Sequence, residues 1–252
     1  AMTVTTSIGP GATNMVTAAA LAHVNRLPVL FVTGDVFANR APDPVLQQVE
    51  DFGDGTISAN DCFKPVSRYF DRIMRAEQLL TALPRAMATL TDPADCGPVT
   101  LAFCQDVQAE AFDWPESFFD TKIWKSQRPR ADLDQLDAAV AAIKAAKQPM
   151  IIAGGGVHYA DACGALTEFA HRHNIPVGET QAGKSSMPWD DELNLGSIGV
   201  TGASSANAIA EKSDLIIAIG TRLQDFTTGS WALFKHPDRR ILSINVAAYD
   251  AA

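Results

Sequence analysis

Apolar residues fall along this chain in two alternating rhythms. Nearly continuous apolar runs, of the kind buried on both faces of a parallel sheet, stand at residues 29–33, 98–103, 150–153 and 215–219. Between them lie longer stretches with helical spacing, at 15–24, 76–90, 132–146, 161–173 and 205–211. The second of these carries Leu79, Leu80, Leu83, Met87 and Leu90 on one face. Weaker strand signals occupy 4–7, 67–73, 176–180 and 240–245. Strands alternating with helices predict an α/β fold built on parallel sheets. Residues 47–60 are polar and predict no element, and 181–196 reads as a long loop.

The alternation breaks once. Residues 112–130 hold Trp114, Trp124, Pro115 and Pro129 and show no periodicity. They predict a connector laid across a surface by Phe112, Trp114, Phe118 and Trp124. At about 100–200 residues per domain, the 252 residues divide into two domains, 1–111 and 131–252. The chain opens and closes on strand-like runs without a polar lead-in or tail. The expectation is an internal piece of a longer α/β protein. Its first part would then keep at least one sheet edge or apolar face that a missing part covers, with strands 29–32 and 99–103 the ones at risk.

Composition narrows the function. A hydrophobic share of 47% and a charged share of 19% are those of a globular chain. The net charge of −9 argues against a nucleic-acid surface and against an anionic-membrane binder. No apolar run approaches the ~20 residues of a membrane span. Cys62, Cys96, Cys104 and Cys163 match no CxxC or zinc spacing, and read as reduced thiols without a chemical role in a cytoplasmic protein.

Candidate chemistry sits at strand ends. Gly9-Pro10-Gly11-Ala12-Thr13-Asn14 joins a strand to a helix, where backbone can approach a ligand and free N–H groups can meet an anion or a polar ring edge. A bare turn is the other reading, and both stay open. Gly154-Gly155-Gly156 fails the GxGxxG fingerprint, because Tyr159 and His158 stand where glycines are needed; a tight turn without phosphate is expected. Gly199-Val200-Thr201-Gly202 with Ser204, Ser205 and Arg222 could hold an anion, or could be a capped helix start with Arg222 paired to Asp225. Gly53-Asp54-Gly55 starts like a diphosphate–metal motif, but no Asn follows at the required distance, so it reads as a decoy. The five histidines form no metal pattern, no Ser lies in GxSxG, and Lys184 is an exposed loop lysine by default. The residues alone identify no catalytic group and no metal site.

In order, these motifs resemble a known family. Residues 5–14 are similar to the TSGPGATN segment of thiamine-diphosphate enzymes of the acetohydroxyacid synthase group. Leu27-Pro28-Val29, Thr33-Gly34-Asp35 and Val45-Leu46-Gln47-Gln48 are similar to the segments that follow it there. The blocks at 105–111, 178–186 and 220–231 resemble a narrower branch, hydrolases of myo-inositol breakdown that open a cyclic polyol diketone. The resemblance implies that residues 1–111 are the later part of a pyrimidine-binding domain and 131–252 a Rossmann-like central domain. It implies thiamine diphosphate and Mg²⁺ as cofactors of the full-length protein, with none bound by this stretch alone. The activating glutamate would lie before Ala1 and the metal motif after Ala252, leaving this stretch inactive by itself. Pro10, Asn14 and Gln47 match positions that line the pyrimidine side. The substrate would be a small cyclic polyol diketone, and the enzyme a cytoplasmic homo-oligomer, dimer or tetramer, because the family's site lies between subunits. A different thiamine-diphosphate activity and a non-catalytic nucleotide-binding module remain the alternatives.

Overall fold

The computed structural model describes residues 1–39, 47, 49, 51 and 53–251. The chain forms two compact units, Ala1–Arg128 and Pro129–Ala252. Both are α/β with wholly parallel sheets.

The first unit runs β1 (Met2–Thr6), α1 (Pro10–Asn14), α2 (Val16–Val24), β2 (Val29–Asp35), a 3₁₀ segment (Ala59–Val66), β3 (Tyr69–Ile73), α3 (Leu79–Thr91) and β4 (Val99–Cys104). Its sheet has the order β1-β2-β4-β3. The face of α3 that meets the sheet is centred on Ala82, Ala86 and Leu90, with Leu79, Leu83 and Met87 half-buried around it. The leucine stripe expected from the sequence is therefore rotated. Alanines at the contact line let the helix backbone approach β3 and β4 closely, and the leucines wrap the flanks. Phe31 and Phe63 close the other face, with ring centroids 5.9 Å apart.

The expectation of an exposed apolar face on the second and fourth strands is corrected. β2 and β4 are the inner strands of the sheet, hydrogen-bonded on both sides, and every residue of β4 except Phe103 is buried. Apolar exposure falls instead on edge strand β1, at Met2 (66%), and on α2, at Leu21 and Val24. Beyond β4, the Phe112 and Trp114 rings meet edge to face with centroids 4.9 Å apart, and Trp114 stacks on Phe118 at 5.0 Å.

The second unit runs α4 (Leu133–Ala145), β5 (Pro149–Ala153), α5 (Gly155–Tyr159), α6 (Cys163–His173), β6 (Val177–Glu179), β7 (Asn194–Ser197), α7 (Ser204–Lys212), β8 (Leu215–Ile219), α8 (Asp225–Thr228) and β9 (Arg240–Ile244). Its sheet order is β7-β6-β5-β8-β9. Alternation decides the two faces. Ile151, Ala153, Leu215 and Ile217 pack with Val157, Leu166 and Ala170 of α5 and α6. Met150, Ile152, Ile216 and Ala218 pack with Ala206 and Ala210 of α7. Asp132 caps α4 by accepting the Asp134 N–H at 2.9 Å. Two sequence expectations change. The glycines at 154–156 are the start of α5 rather than a bare turn, with Gly154 as its N-cap. The expected loop at 181–196 contains most of β7, whose pairing with β6 shifts register and whose Asn, Gly and Ser show no apolar alternation.

Candidate functional site

In open parallel sheets ligands gather at the carboxyl ends of the strands. In the first unit these ends bring several of the candidate residues together. After β1 the chain turns at Gly9 with φ of 70° and enters α1 directly, with Pro10 as its first residue. A Cβ on Gly9 would collide with the carbonyl oxygen of Gln47. Glycine is thus required twice here, for a left-handed φ and for the approach of Gln47. The structure therefore brings Gln47 against the residue preceding Pro10. Pro10, Asn14 and Gln47 are all exposed, and Asn14 ends α1. Of the family-like segment around Gln47, Val45, Leu46 and Gln48 lie outside the described residues.

The end of β2 packs against the same turn, a Cβ on Gly34 meeting the Ile8 nitrogen at 3.0 Å. Next to it is a charged cluster that the sequence did not signal. Asp35 has no exposed side-chain surface. Its Oδ1 accepts from the Ser58 hydroxyl at 2.5 Å and the Val36 N–H at 2.8 Å. Its Oδ2 accepts from Arg72 Nε at 2.7 Å. Arg72 Nη2 also reaches Asp61 Oδ1 at 2.8 Å, and Lys64 Nζ lies 3.0 Å from that oxygen. Partial burial pushes the Asp61 carboxyl up, but the Ser58 N–H, Lys64 and Arg72 outweigh it and hold it below the usual range. Asn60 donates to the Gly34 carbonyl at 2.8 Å. Its Oδ1 and the hydroxyl of Thr33 are buried without a partner among the described residues. At the end of β4, Asp106 accepts the N–H groups of Ala38 and Asn39 at 2.9 and 2.8 Å, fixing the loop after β2. Its carboxyl is likewise depressed, because these N–H groups outweigh the effect of burial.

The candidates elsewhere resolve into structure. Asp54 is engaged locally by the N–H and hydroxyl of Thr56. Among the described residues no cluster of three or more His, Cys, Asp or Glu could hold a metal. In the second unit, the sheet order reverses between β5 and β8, where a nucleotide would sit in a doubly wound fold. Protein backbone fills that point. Gly220, at φ 59°, stacks on Gly156, with a Cβ on Gly220 only 2.5 Å from Gly156 Cα. The N–H groups of Gly154 and Gly156 are spent on the carbonyls of Ile219 and Gly220. The turn at 199–202 is similarly self-satisfied. Gly199 N–H donates to Asn207 Oδ1, Val200 N–H to Phe226 and Gly202 N–H to Gly199. The predicted caps are absent there: Ala203 is the N-cap of α7, and Ser205 donates to the Leu195 carbonyl.

The comparisons with known proteins agree with this architecture. The sequence-family model of the thiamine pyrophosphate enzyme N-terminal TPP binding domain matches residues 1–54, and that of the thiamine pyrophosphate enzyme central domain matches residues 136–252. The chain belongs to the thiamine pyrophosphate enzyme family. Within it, the chain is 53% identical over 247 residues to the 3D-(3,5/4)-trihydroxycyclohexane-1,2-dione hydrolase of Clostridium tetani, a match covering 98% of this chain and 38% of that protein. It is 51% identical over 251 residues to the protein of the same name from Geobacillus thermodenitrificans, covering 100% of this chain and 39% of that one. The Bacillus cereus protein of that name is 51% identical over 250 residues. The chain thus spans about two fifths of the length of these curated relatives.

Proposed function

We propose that the whole protein is a thiamine-diphosphate-dependent hydrolase that opens the ring of trihydroxycyclohexane-1,2-dione to 5-deoxy-glucuronate. The observation that carries this is an overall identity of 51–53% in alignments that span 98–100% of the chain, and so take in both units and the connector. In this reading residues 1–111 are the later part of the pyrimidine-binding domain, 112–130 the connector and 131–252 the central domain. The protein acts as a homo-oligomer in the cytoplasm, without nucleic acid or membrane as partner.

The residues at the first unit's strand ends fit one wall of a cofactor site. Gly9 lets the Gln47 backbone close on the turn, and Pro10, Asn14 and Gln47 keep exposed side chains there. Pro10 would offer an apolar edge to the pyrimidine, while Asn14 and Gln47 would offer amide donors and acceptors. When bound, the cofactor supplies the carbon nucleophile that attacks a substrate carbonyl. The diphosphate and its Mg²⁺ need oxygen ligands that the described residues do not gather. In this reading the stretch is one part of the site and is expected, by itself, neither to turn over substrate nor to hold the cofactor. The filled switch point between β5 and β8 supports a central unit that holds no nucleotide.

The test is turnover by the full-length protein of the cyclic dione against pyruvate. Ring opening with thiamine diphosphate supports the proposal. Carboligation of pyruvate with no action on the dione would replace it with a synthase, and no activity on either would leave a non-catalytic role.

A further inference from the structure

A reactive pair stands apart from the strand ends just described. Cys163 opens α6, and its Sγ lies 3.5 Å from Nδ1 of His158 on α5. The other ring nitrogen, Nε2, lies 2.9 Å from the carbonyl oxygen of Lys184. A carbonyl only accepts, so Nε2 carries the proton and Nδ1 turns a lone pair to the thiol. Nucleophile, base and a group orienting the base are thus aligned. Cys163 borders a cavity of about 480 Å³ that is also lined by Thr167, Ser185, Met187, Pro188 and Trp189. Its far wall is fixed, because buried Glu179 accepts from the Ser186 hydroxyl and the Met187 N–H, both at 3.1 Å. The amino end of α6 favours negative charge on the sulfur as it reacts.

We propose that Cys163 and His158 form a thiol-exchange site for low-molecular-weight disulfides. Sγ attacks one sulfur of R–S–S–R while His158 Nδ1 takes the thiol proton. The S–S bond breaks, and the leaving RS⁻ recovers that proton as RSH. Cys163 is oxidised to a mixed disulfide Cys163–S–S–R, and the small disulfide is reduced by the same two electrons. The retained R group lies in the cavity, where Thr167 and Ser185 offer hydroxyls, and Met187 and Trp189 an apolar wall.

The four cysteines of the chain provide internal controls, Cys62 being exposed and Cys104 buried. The chain is incubated with oxidised glutathione, quenched, and its adducts are mapped by mass spectrometry over time. At pH 7 Cys163 is expected to react at least about 10-fold faster than the more exposed Cys62. His158→Gln brings Cys163 to the Cys62 rate and leaves Cys62 unchanged, with an unchanged melting midpoint of the second unit, to which His158 and Cys163 belong, as the control for an intact fold. A wild-type Cys163 no faster than Cys62, or an unaffected rate in His158→Gln, overturns the proposal. The wild-type comparison decides it even where the variant fails to fold.

Discussion

Truncating Asp35 tests the electrostatics of the first unit directly. The carboxylate is fully buried, and Asp35→Ala removes the acceptor of three donors: the Ser58 hydroxyl, the Val36 N–H and Arg72 Nε. Breaking a buried ion pair from one side costs about 3–5 kcal/mol, because the remaining charge stays desolvated. Arg72 is 20% exposed and keeps Asp61, so its charge is not abandoned. That places the loss near the lower end, at about 3 kcal/mol. Cys104, buried on β4, reads the stability of this unit without interference from the other. Its labelling by a small alkylating reagent requires opening of the sheet, since burial also pushes its thiol pKa up to about 12. When opening is a pre-equilibrium, 3 kcal/mol accelerates labelling about 150-fold. Asp35→Asn separates charge from shape. Its amide oxygen still accepts from Ser58 and Val36, but its NH₂ meets the Arg72 Nε–H donor to donor. An intermediate loss of about 1–3 kcal/mol follows. Acceleration below about 5-fold in Asp35→Ala, or none in Asp35→Asn, would refute the reasoning.

Gly220→Ala forces a left-handed alanine, at about 1–2 kcal/mol, and drives a methyl into the Gly156 backbone, at about 1–3 more. The second unit's melting midpoint should fall by more than ~8 °C. Gly164→Ala, on α6 with open space at its Cβ, should hold or raise it, and equal effects at the two sites would contradict the packing argument. Asp61 and Asp106 have depressed folded-state pKa values, so their contribution is present above the unfolded value of ~3.9 and is lost as pH falls through the lower folded values. Urea midpoints of the first unit should stay level from pH 7 to 5 and drop below about pH 4; a step near pH 6 would point to a histidine instead. Calorimetry of the chain with thiamine diphosphate and Mg²⁺ should show no micromolar binding, and finding it would mean a self-contained site. In the full-length protein Gln47→Ala should cut dione turnover about 5- to 150-fold with the fold intact, the loss of one positioned polar contact; wild-type kinetics would remove Gln47 from the site.

The sequence made the strand order along the chain legible because buried parallel strands are continuous apolar runs. Leu215–Ile219 could hardly be anything else. It was silent where structure rests on non-local partners. β7 has no apolar signature and exists because Val177 and Glu179 offer their backbone to it. The Asp35–Arg72–Asp61–Ser58 cluster joins residues up to 37 positions apart in an ion pair that no local spacing encodes. A polar stretch too irregular for an element is nonetheless what supplies Ser58, Asn60 and Asp61. The glycines show the same limit from the other side. Gly154, Gly156 and Gly220 invite a phosphate when read along the chain, yet each is needed because another backbone lies where a Cβ would be. Gly9 obeys that rule too, but its neighbour is the backbone of Gln47, and the side chains beside that contact remain exposed. A glycine-rich strand end thus becomes a candidate site only where the close approach leaves functional side chains facing outward. In this chain the first unit meets that condition at Gly9, and the second unit's switch point does not.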